Sequence, residues 1–277
     1  MMFEHNRAAG SKLAKLVKEQ GWTMGQLREA MEEVGADPSQ VLGCGKIGCT
    51  VGADEGVVKI TADGTEVAVW DTMLELYNRK GLDVFEGIPE IYDLVEVRGM
   101  RDAFLIKREG VEPFVMGDEF APGPRTMKWL FGRHDYSRLP ASKLKISPHD
   151  DAHWSFVEML SRIGKRFPDQ VMKRAALLDE EVRKLYVLSD IASFAKEQST
   201  ARKVYQTAYS DLAASCRKPF DGIGYVLSEI INSKLKGKHT WVTDVHPGNI
   251  GWRLTGKPHL LVFDWLSFEL TPNGMVA

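Results

Sequence analysis

The sequence predicts an α+β protein with two lobes: a small antiparallel sheet with one long helix, then a larger, mainly helical lobe. Between residues 40 and 110, short β-branched runs alternate with turn residues and enclose one helical segment, which is typical of a small sheet. Beyond residue 111 the pattern is irregular and then helical. Residues 117–150 contain Pro122, Pro124, Pro140 and Pro148 and predict a long ordered loop, and helices are expected over 152–166, 179–196, 199–215 and 221–235. A chain of 277 residues is long enough for both lobes. We expect an N-terminal helical extension over 1–36, a small lobe over 37–110 and a helical lobe over 111–277.

Residues 1–36 predict a pair of amphipathic helices that packs on the main body. Apolar side chains recur at helical spacing before and after Gly21. They are Leu13, Leu16, Val17, Leu27, Met31 and Val34. A helix-turn-helix DNA reader has a similar outline, but ordinary helical hairpins are far commoner, so we favour a packing role.

Composition narrows the class of protein. Lys and Arg number 36 against 38 Asp and Glu, so the net charge of −2 gives no general attraction to nucleic acid or membrane. No stretch approaches the roughly 18–20 apolar residues that span a bilayer. The odd set Cys44, Cys49 and Cys216 argues against a disulfide framework and fits a reducing compartment. Residues 1–12 lack the apolar core of a signal peptide, so we expect a cytoplasmic protein.

A glycine-rich run opens the predicted sheet. Gly43, Gly45 and Gly48 form a G-x-G-x-x-G pattern, in which backbone N–H groups can approach phosphate oxygens closely. In a dinucleotide-binding unit a helix follows directly, whereas here a strand, a turn at 54–56 and a second strand at 57–61 follow. This order favours a flap over ATP phosphates. An ordinary glycine-rich hairpin stays an alternative.

Lys59 is a cation inside the second of these strands. Burial of an unpaired ammonium is costly, so Lys59 needs an anionic partner or faces solvent. The helix predicted over 63–77 offers Glu66 and Glu75, which face opposite sides because they are nine residues apart at about 100° each. Apolar side chains surround the direction of Glu66, so we expect Glu66 to pair with Lys59 and Glu75 to face water. Alternatively, Glu66 closes a capping box with Asp63.

The richest chemical signal lies near the end of the chain. Pro247 and Gly248 predict a tight turn that brings Asp244 close to Asn249. Asp264 ends an apolar strand fifteen residues after Asn249. Two acids and an amide that converge can hold Mg²⁺, a hard ion that prefers oxygen ligands. Asp244 is then expected to orient an acceptor hydroxyl and to take its proton.

These motifs together resemble the protein-kinase-like superfamily, and the Asp-x-His-Pro-Gly-Asn form is most similar to the aminoglycoside and choline kinase branch. The resemblance covers roughly residues 40–110 and 240–268. It implies ATP and Mg²⁺ as cofactors and transfer of the γ-phosphoryl group to a hydroxyl acceptor. It implies these roles: Asp244 as catalytic aspartate, Lys59 with Glu66 as phosphate-holding pair, Asn249 and Asp264 as metal ligands, Gly43, Gly45 and Gly48 as phosphate flap, and Glu109 in the adenine-holding hinge.

The segment also departs from ordinary protein kinases. Val242 and Thr243 stand where His-Arg is usual, and Trp265 with Leu266 replaces Phe-Gly. Only 13 residues follow Asp264, so we expect no usual activation loop and assign acceptor recognition to 111–239. We expect His246 to brace the loop through backbone bonds, and a charge or hydrogen-bond contact near the γ-phosphate is the alternative.

The acceptor stays open between a protein Ser/Thr side chain and a small-molecule hydroxyl. The motif form favours a small molecule, whereas a basic run over 125–145 is compatible with docking of an acidic or phosphorylated partner, or with a plain solvated loop. The run contains Arg125, Lys128, Arg133, Arg138, Lys143 and Lys145. Aromatic residues interleave with it, but nucleic acid is the least favoured partner. A pseudokinase that binds nucleotide or a partner without turnover is the remaining alternative.

Overall fold

The computed structural model shows an α+β fold, as predicted, and describes residues 2–45, 48–80, 88–116, 121–144, 155–195, 239–243, 247–254, 259–264 and 266–270. The helices in these ranges are α1 (Met2–Glu19), α2 (Met24–Glu33), α3 (Gly64–Lys80), α4 (Pro124–Phe131), α5 (Phe156–Arg162) and α6 (Asp169–Ala195). Short 3₁₀ turns occur at Ala141–Lys143 and Pro247–Asn249. None of the described helices is both long enough and apolar enough to cross a bilayer.

The strands pair in four antiparallel sheets within the described ranges. They are β1 (Ala36–Cys44), β2 (Gly48–Ala53), β3 (Val57–Thr61), β4 (Ile91–Glu96), β5 (Phe104–Arg108), β6 (Val111–Pro113), β7 (Val115–Met116), β8 (Ala121–Pro122), β9 (His239–Thr243), β10 (Ile250–Arg253), β11 (Leu260–Val262) and β12 (Leu266–Leu270). The largest sheet has the order β1-β2-β3-β5-β4.

The register of this five-stranded sheet decides which side chains share a face. The predicted turn between β2 and β3 is present, and its Gly56 has a φ of 79°. A Cβ at Gly56 would also collide with the carbonyl oxygen of Arg108, so the turn requires glycine. Lys59 lies opposite Ile106, and Val57 lies opposite Arg108. Lys59 and Arg108 therefore project from the same face.

Different elements cover the two faces of the five-stranded sheet. One face packs against α1 and α2, so the helical pair predicted over 1–36 is confirmed. The strand residues in this apolar cluster include Val41, Val51, Val58, Ile60 and Leu105. The other face packs against α3, where Trp70 and Met73 are buried with Ile106. The same strands thus separate an N-terminal core from the core that lies beside the candidate site.

A smaller sheet with the order β11-β10-β6 carries the C-terminal motif. Trp252 of β10 packs against Phe114 with ring centroids 6.2 Å apart, and its Nε1 donates to Thr126 Oγ1 at 2.8 Å. Thr126 in turn donates to the carbonyl of Phe114 at 2.8 Å, so the buried polar atoms of this pair are satisfied. These contacts fix the β10–β11 hairpin, whose open end lies between Asn249 and Asp264.

The loop expected over 117–150 is corrected by the structure, because α4 lies within it. Pro124 occupies the first turn of this helix. Proline is favoured there, because its missing N–H would have no intrahelical partner in any case. The prolines that suggested a loop therefore include one that begins a helix.

The four helices predicted beyond residue 150 divide into two pairs. Those over 152–166 and 179–196 match α5 and α6, although α6 begins ten residues earlier, at Asp169. Those over 199–215 and 221–235 lie outside the described residues.

The expectation drawn from the cysteines is also corrected, because a disulfide joins Cys44 to Cys49. The two residues lie opposite each other at the end of the β1–β2 hairpin, with Cα atoms 4.0 Å apart. The odd cysteine count concealed this pair, since only the hairpin register brings the two side chains together. The bond links the strands on either side of Gly45.

Candidate active site

Three charged side chains from three separate elements meet on the α3 side of the main sheet. Lys59 Nζ of β3 lies 2.6 Å from Glu66 Oε1 of α3 and 3.1 Å from Asp264 Oδ2, which follows β11. Glu66 is 5% exposed and the Lys59 side chain 14% exposed, so solvent screens the contact between them weakly, whereas the Asp264 side chain is 36% exposed. The ion pair predicted from the helix faces is present, and Glu75 is exposed as predicted.

Strand alternation explains how Lys59 reaches this position. Its neighbours Val58 and Ile60 fill the N-terminal core, so Lys59 must project towards α3. An ammonium in this shielded place is costly unless it is paired, and the carboxylates of Glu66 and Asp264 supply the pairing. The alternative of a solvent-facing strand lysine is therefore wrong.

Asn249 and Asp264 lie at the same end of the β10–β11 hairpin. The N–H of Phe263 donates to the carbonyl of Asn249 at 2.9 Å, and Asp264 is the next residue. Across the described ranges, no three His, Cys, Asp or Glu side chains form a cluster. Mg²⁺ commonly takes only one or two carboxylates from the protein and completes its shell with water and phosphate oxygens. Asn249 and Asp264 have the amide and carboxylate oxygens that such a site uses, and their role as Mg²⁺ ligands stays a prediction.

Arg108, the last residue of β5, belongs to this site although the sequence did not suggest it. It is 3% exposed, and its Nη1 donates to the backbone carbonyl of Phe263. Its guanidinium carbon lies 5.3 Å from the ring centroid of Trp70 and 5.6 Å from that of Phe263. Burial lowers the pKa of Arg108, and the charges of Asp264 and Glu66 oppose this change.

The signal that could have revealed Arg108 is the register of β3 against β5. Ile106 lies opposite Lys59, and Arg108 is two residues farther along β5. Residues two apart in a strand share a face, so a second cation was due beside Lys59. Strand pairing is a long-range property, and the sequence alone did not provide it.

The glycines of the predicted phosphate flap differ in what requires them. A Cβ at Gly48 would lie 2.7 Å from the carbonyl oxygen of Ile60, so the approach of β2 to β3 excludes a side chain. A Cβ at Gly43 would meet no described atom within 4 Å, and at Gly45 only the carbonyl of Gly48 at 4.0 Å. Protein packing therefore accounts for Gly48 only. Bare backbone at Gly43 and Gly45 is what a phosphate-binding flap requires.

Glu109, predicted to lie in the adenine-holding hinge, is 3% exposed. Its Oε1 lies 2.7 Å from Arg253 Nε of β10, and its Oε2 accepts from the N–H of Glu90 at 3.3 Å. The side chain thus ties the end of β5 to β10 and to the start of β4. A role of Glu109 in nucleotide binding stays a prediction.

Asp244 and His246 lie outside the described residues, so their roles also stay predictions. The structure describes the residues that flank them. Strand β9 ends at Thr243, which pairs with Leu266 of β12, and the 3₁₀ turn begins at Pro247.

In the basic run over 125–145, Arg125 is partly buried and the other described cations are at the surface. Arg125 Nη1 lies 3.8 Å from Glu112 Oε2, whereas the other described Lys, Arg and His side chains of the run are exposed. They are Lys128, Arg133, His134, Arg138 and Lys143. Trp129 packs against Trp252, and Tyr136 packs against Phe131, with centroids 5.9 and 5.2 Å apart. The aromatic rings are thus engaged within the protein, which makes base stacking a poor use for them.

Comparison with protein-family models, curated proteins and solved structures finds no match for this chain. Function is therefore inferred from the geometry of Lys59, Glu66 and Asp264 and from the sequence motifs.

Proposed function

We propose that the protein is an ATP-dependent kinase with a bilobal, protein-kinase-like fold that transfers the γ-phosphoryl group to a hydroxyl acceptor. One observation carries the proposal: Lys59 Nζ lies 2.6 Å from Glu66 and 3.1 Å from Asp264. Protein kinases use a strand lysine held by a helix glutamate, next to a metal-binding aspartate, to orient ATP. Lys59 and Glu66 lie on consecutive elements, but Asp264 is 205 residues from Lys59, so local structure alone does not explain its place beside them.

The proposed roles follow from the position of each group. Lys59 would bind phosphate oxygens, and Glu66 would keep the ammonium in place. Backbone N–H groups of the flap between Gly43 and Gly48 would contact the phosphates, other than the N–H of Gly45, which donates to the carbonyl of Gly48 at 2.8 Å. Asn249 and Asp264 would hold magnesium, which when bound neutralises charge that develops on the phosphates. Since phosphoryl transfer asks for little covalent chemistry from the protein, positioning and electrostatics are the main contributions.

The acceptor is assigned only as a hydroxyl group. Asp244 is assigned to orient the acceptor hydroxyl, by its place in the motif. Both a protein Ser/Thr side chain and a small-molecule hydroxyl agree with this role. The exposed cations of the run over 125–145 favour an acidic or phosphorylated docking partner, because only Asp135 opposes them locally.

The proposal is tested by incubation of the protein with labelled ATP and Mg²⁺, alone and with cell lysate. Label on protein that is lost in Asp244→Ala supports a protein acceptor, and label found only in small molecules supports the other class. Nucleotide binding without any transfer favours the pseudokinase. If a thermal-shift assay shows no stabilisation at millimolar Mg²⁺–ATP, the proposal fails.

Helix α3 offers a matched pair of variants for the Lys59 contact. Glu66→Gln removes the charge that holds Lys59, so we expect turnover to fall by at least about tenfold. Glu75→Gln makes the same chemical change on the exposed face of the same helix, and turnover should stay at the wild-type level. Equal losses of turnover in both variants would show that the effect does not depend on the ion pair between Glu66 and Lys59.

A further inference from the structure

We propose that Arg108 is a positioning residue for the metal-binding aspartate, a role that rests on the proposed kinase function. Arg108 donates to the carbonyl oxygen of Phe263, and this oxygen belongs to the planar peptide unit that contains the nitrogen of Asp264. Because this peptide unit is planar, a hydrogen bond that holds its oxygen also orients the backbone nitrogen of Asp264. The N–H of Phe263 is held by the carbonyl of Asn249 at 2.9 Å. Arg108 and Asn249 together therefore set the spacing between the two proposed metal ligands.

The energetic cost of Arg108 argues for a role beyond packing. An apolar side chain of similar volume commonly fills such a site with equal or greater stability, because a buried charge loses its hydration. Arg108 is 3% exposed, and its Nε has no hydrogen-bond partner among the described residues. The rings of Trp70 and Phe263 offset part of this cost through cation–π contact. The presence of a guanidinium despite this energetic cost indicates that it has a function at this position.

The way in which Arg108 binds leaves the carboxylate of Asp264 available. The guanidinium contacts the backbone beside Asp264, and among the described ion pairs the carboxylate is bound by Lys59. Among the described residues of the site, two cations, Lys59 and Arg108, face two anions, Glu66 and Asp264. Arg108 can thus order Asp264 without occupying the oxygens that a metal needs.

The neighbouring residue provides a matched control. Lys107 projects from the opposite face of β5, and its Nζ donates to the carbonyl of Val34 at 2.9 Å, just after α2. Lys107→Met and Arg108→Met each remove a strand cation that donates to a distant backbone carbonyl. Only Arg108 lies near the metal ligands.

The test measures the Mg²⁺ concentration needed for half-maximal binding of a fluorescent ATP analogue, together with hydrogen exchange of residues 259–264 without nucleotide. Arg108→Met should raise the required Mg²⁺ by about tenfold or more, as loss of a group that orients a metal ligand does. It should also accelerate exchange at Phe263. Arg108→Lys keeps the charge and should show a smaller shift. Lys107→Met should leave both readouts at the wild-type level.

Three results would contradict the positioning role of Arg108. An unchanged Mg²⁺ requirement in Arg108→Met, with faster exchange at Phe263, would reduce Arg108 to a structural residue. An equal shift in Lys107→Met would have the same meaning. If circular dichroism shows that Arg108→Met does not fold, Arg108→Lys decides, and an unchanged requirement there overturns the role. Absence of Mg²⁺-dependent binding in the wild type would instead defeat the kinase proposal itself.

Discussion

The two faces of the main sheet put neighbouring strand residues to opposite uses. On the face towards α1 and α2, Val58, Ile60 and Leu105 are no more than 1% exposed and belong to one apolar cluster. On the face towards α3, Lys59 and Arg108 interrupt the apolar packing with charge. The first face stabilises the fold. The charged cluster on the second face lowers the stability of the fold. Such a cost is expected at a site that binds a ligand.

Strand β5 shows the difference between the two faces in two adjacent residues. Its two consecutive cations, Lys107 and Arg108, donate to carbonyls on opposite sides of the sheet. One binds the residue after α2, and the other binds the residue before Asp264. Because side chains alternate along a strand, a shift of one residue changes the environment of a side chain completely.

The largest effect is expected when this alternation is reversed. The double variant Lys59→Ile/Ile60→Lys keeps the composition but moves the ammonium into the N-terminal core. An unpaired charge at a position that is 0% exposed should cost more than about 4 kcal/mol of the free energy of unfolding. Urea unfolding, followed by circular dichroism, measures this loss. A stable double variant would mean that the two faces are interchangeable.

Removal of the site cation alone should separate activity from folding. Lys59→Met is expected to lower phosphoryl transfer by about 10²–10³-fold, because one electrostatic contact to the transferring phosphate is lost. The radiolabel assay measures this rate, and circular dichroism checks that the variant is folded. Transfer within about threefold of the wild type, in a folded variant, would exclude Lys59 from the phosphate-binding role.

The smallest effect is expected one residue away, on the apolar face. Ile60→Val removes a methylene from the N-terminal core and should cost about 0.5–1.5 kcal/mol of stability. The rate of transfer and the KM for ATP should stay unchanged, since Ile60 projects away from the site. Thermal unfolding and steady-state kinetics test both parts. A changed KM would indicate that the two faces are coupled.

The periodicity of the sequence predicts the features that depend on local chain geometry. The helical pair, the β2–β3 hairpin and the opposite faces of Glu66 and Glu75 all follow from side-chain alternation or helical repeat, and the structure agrees with them. Lys59 could be paired with Glu66 from sequence because burial of a lone ammonium demands an anion. The placement of Asp264 beside them needed the resemblance in addition.

Features that depend on long-range pairing could not be predicted in this way. Arg108 entered the site through the register of β3 and β5, and Cys44 met Cys49 through the register of β1 and β2. Helix α4 was missed for a local reason, because Pro124 signals both a loop and the first turn of a helix.

The most direct test of the central claim is a chemical one. An acyl-phosphate derivative of ATP transfers its acyl group to a lysine amine that lies beside the bound phosphates, and mass spectrometry identifies the modified residue. The account predicts that Lys59 is acylated and that excess Mg²⁺–ATP suppresses this modification. Acylation that spares Lys59, or that excess ATP does not suppress, would contradict the assignment of Lys59, Glu66 and Asp264 as an ATP site.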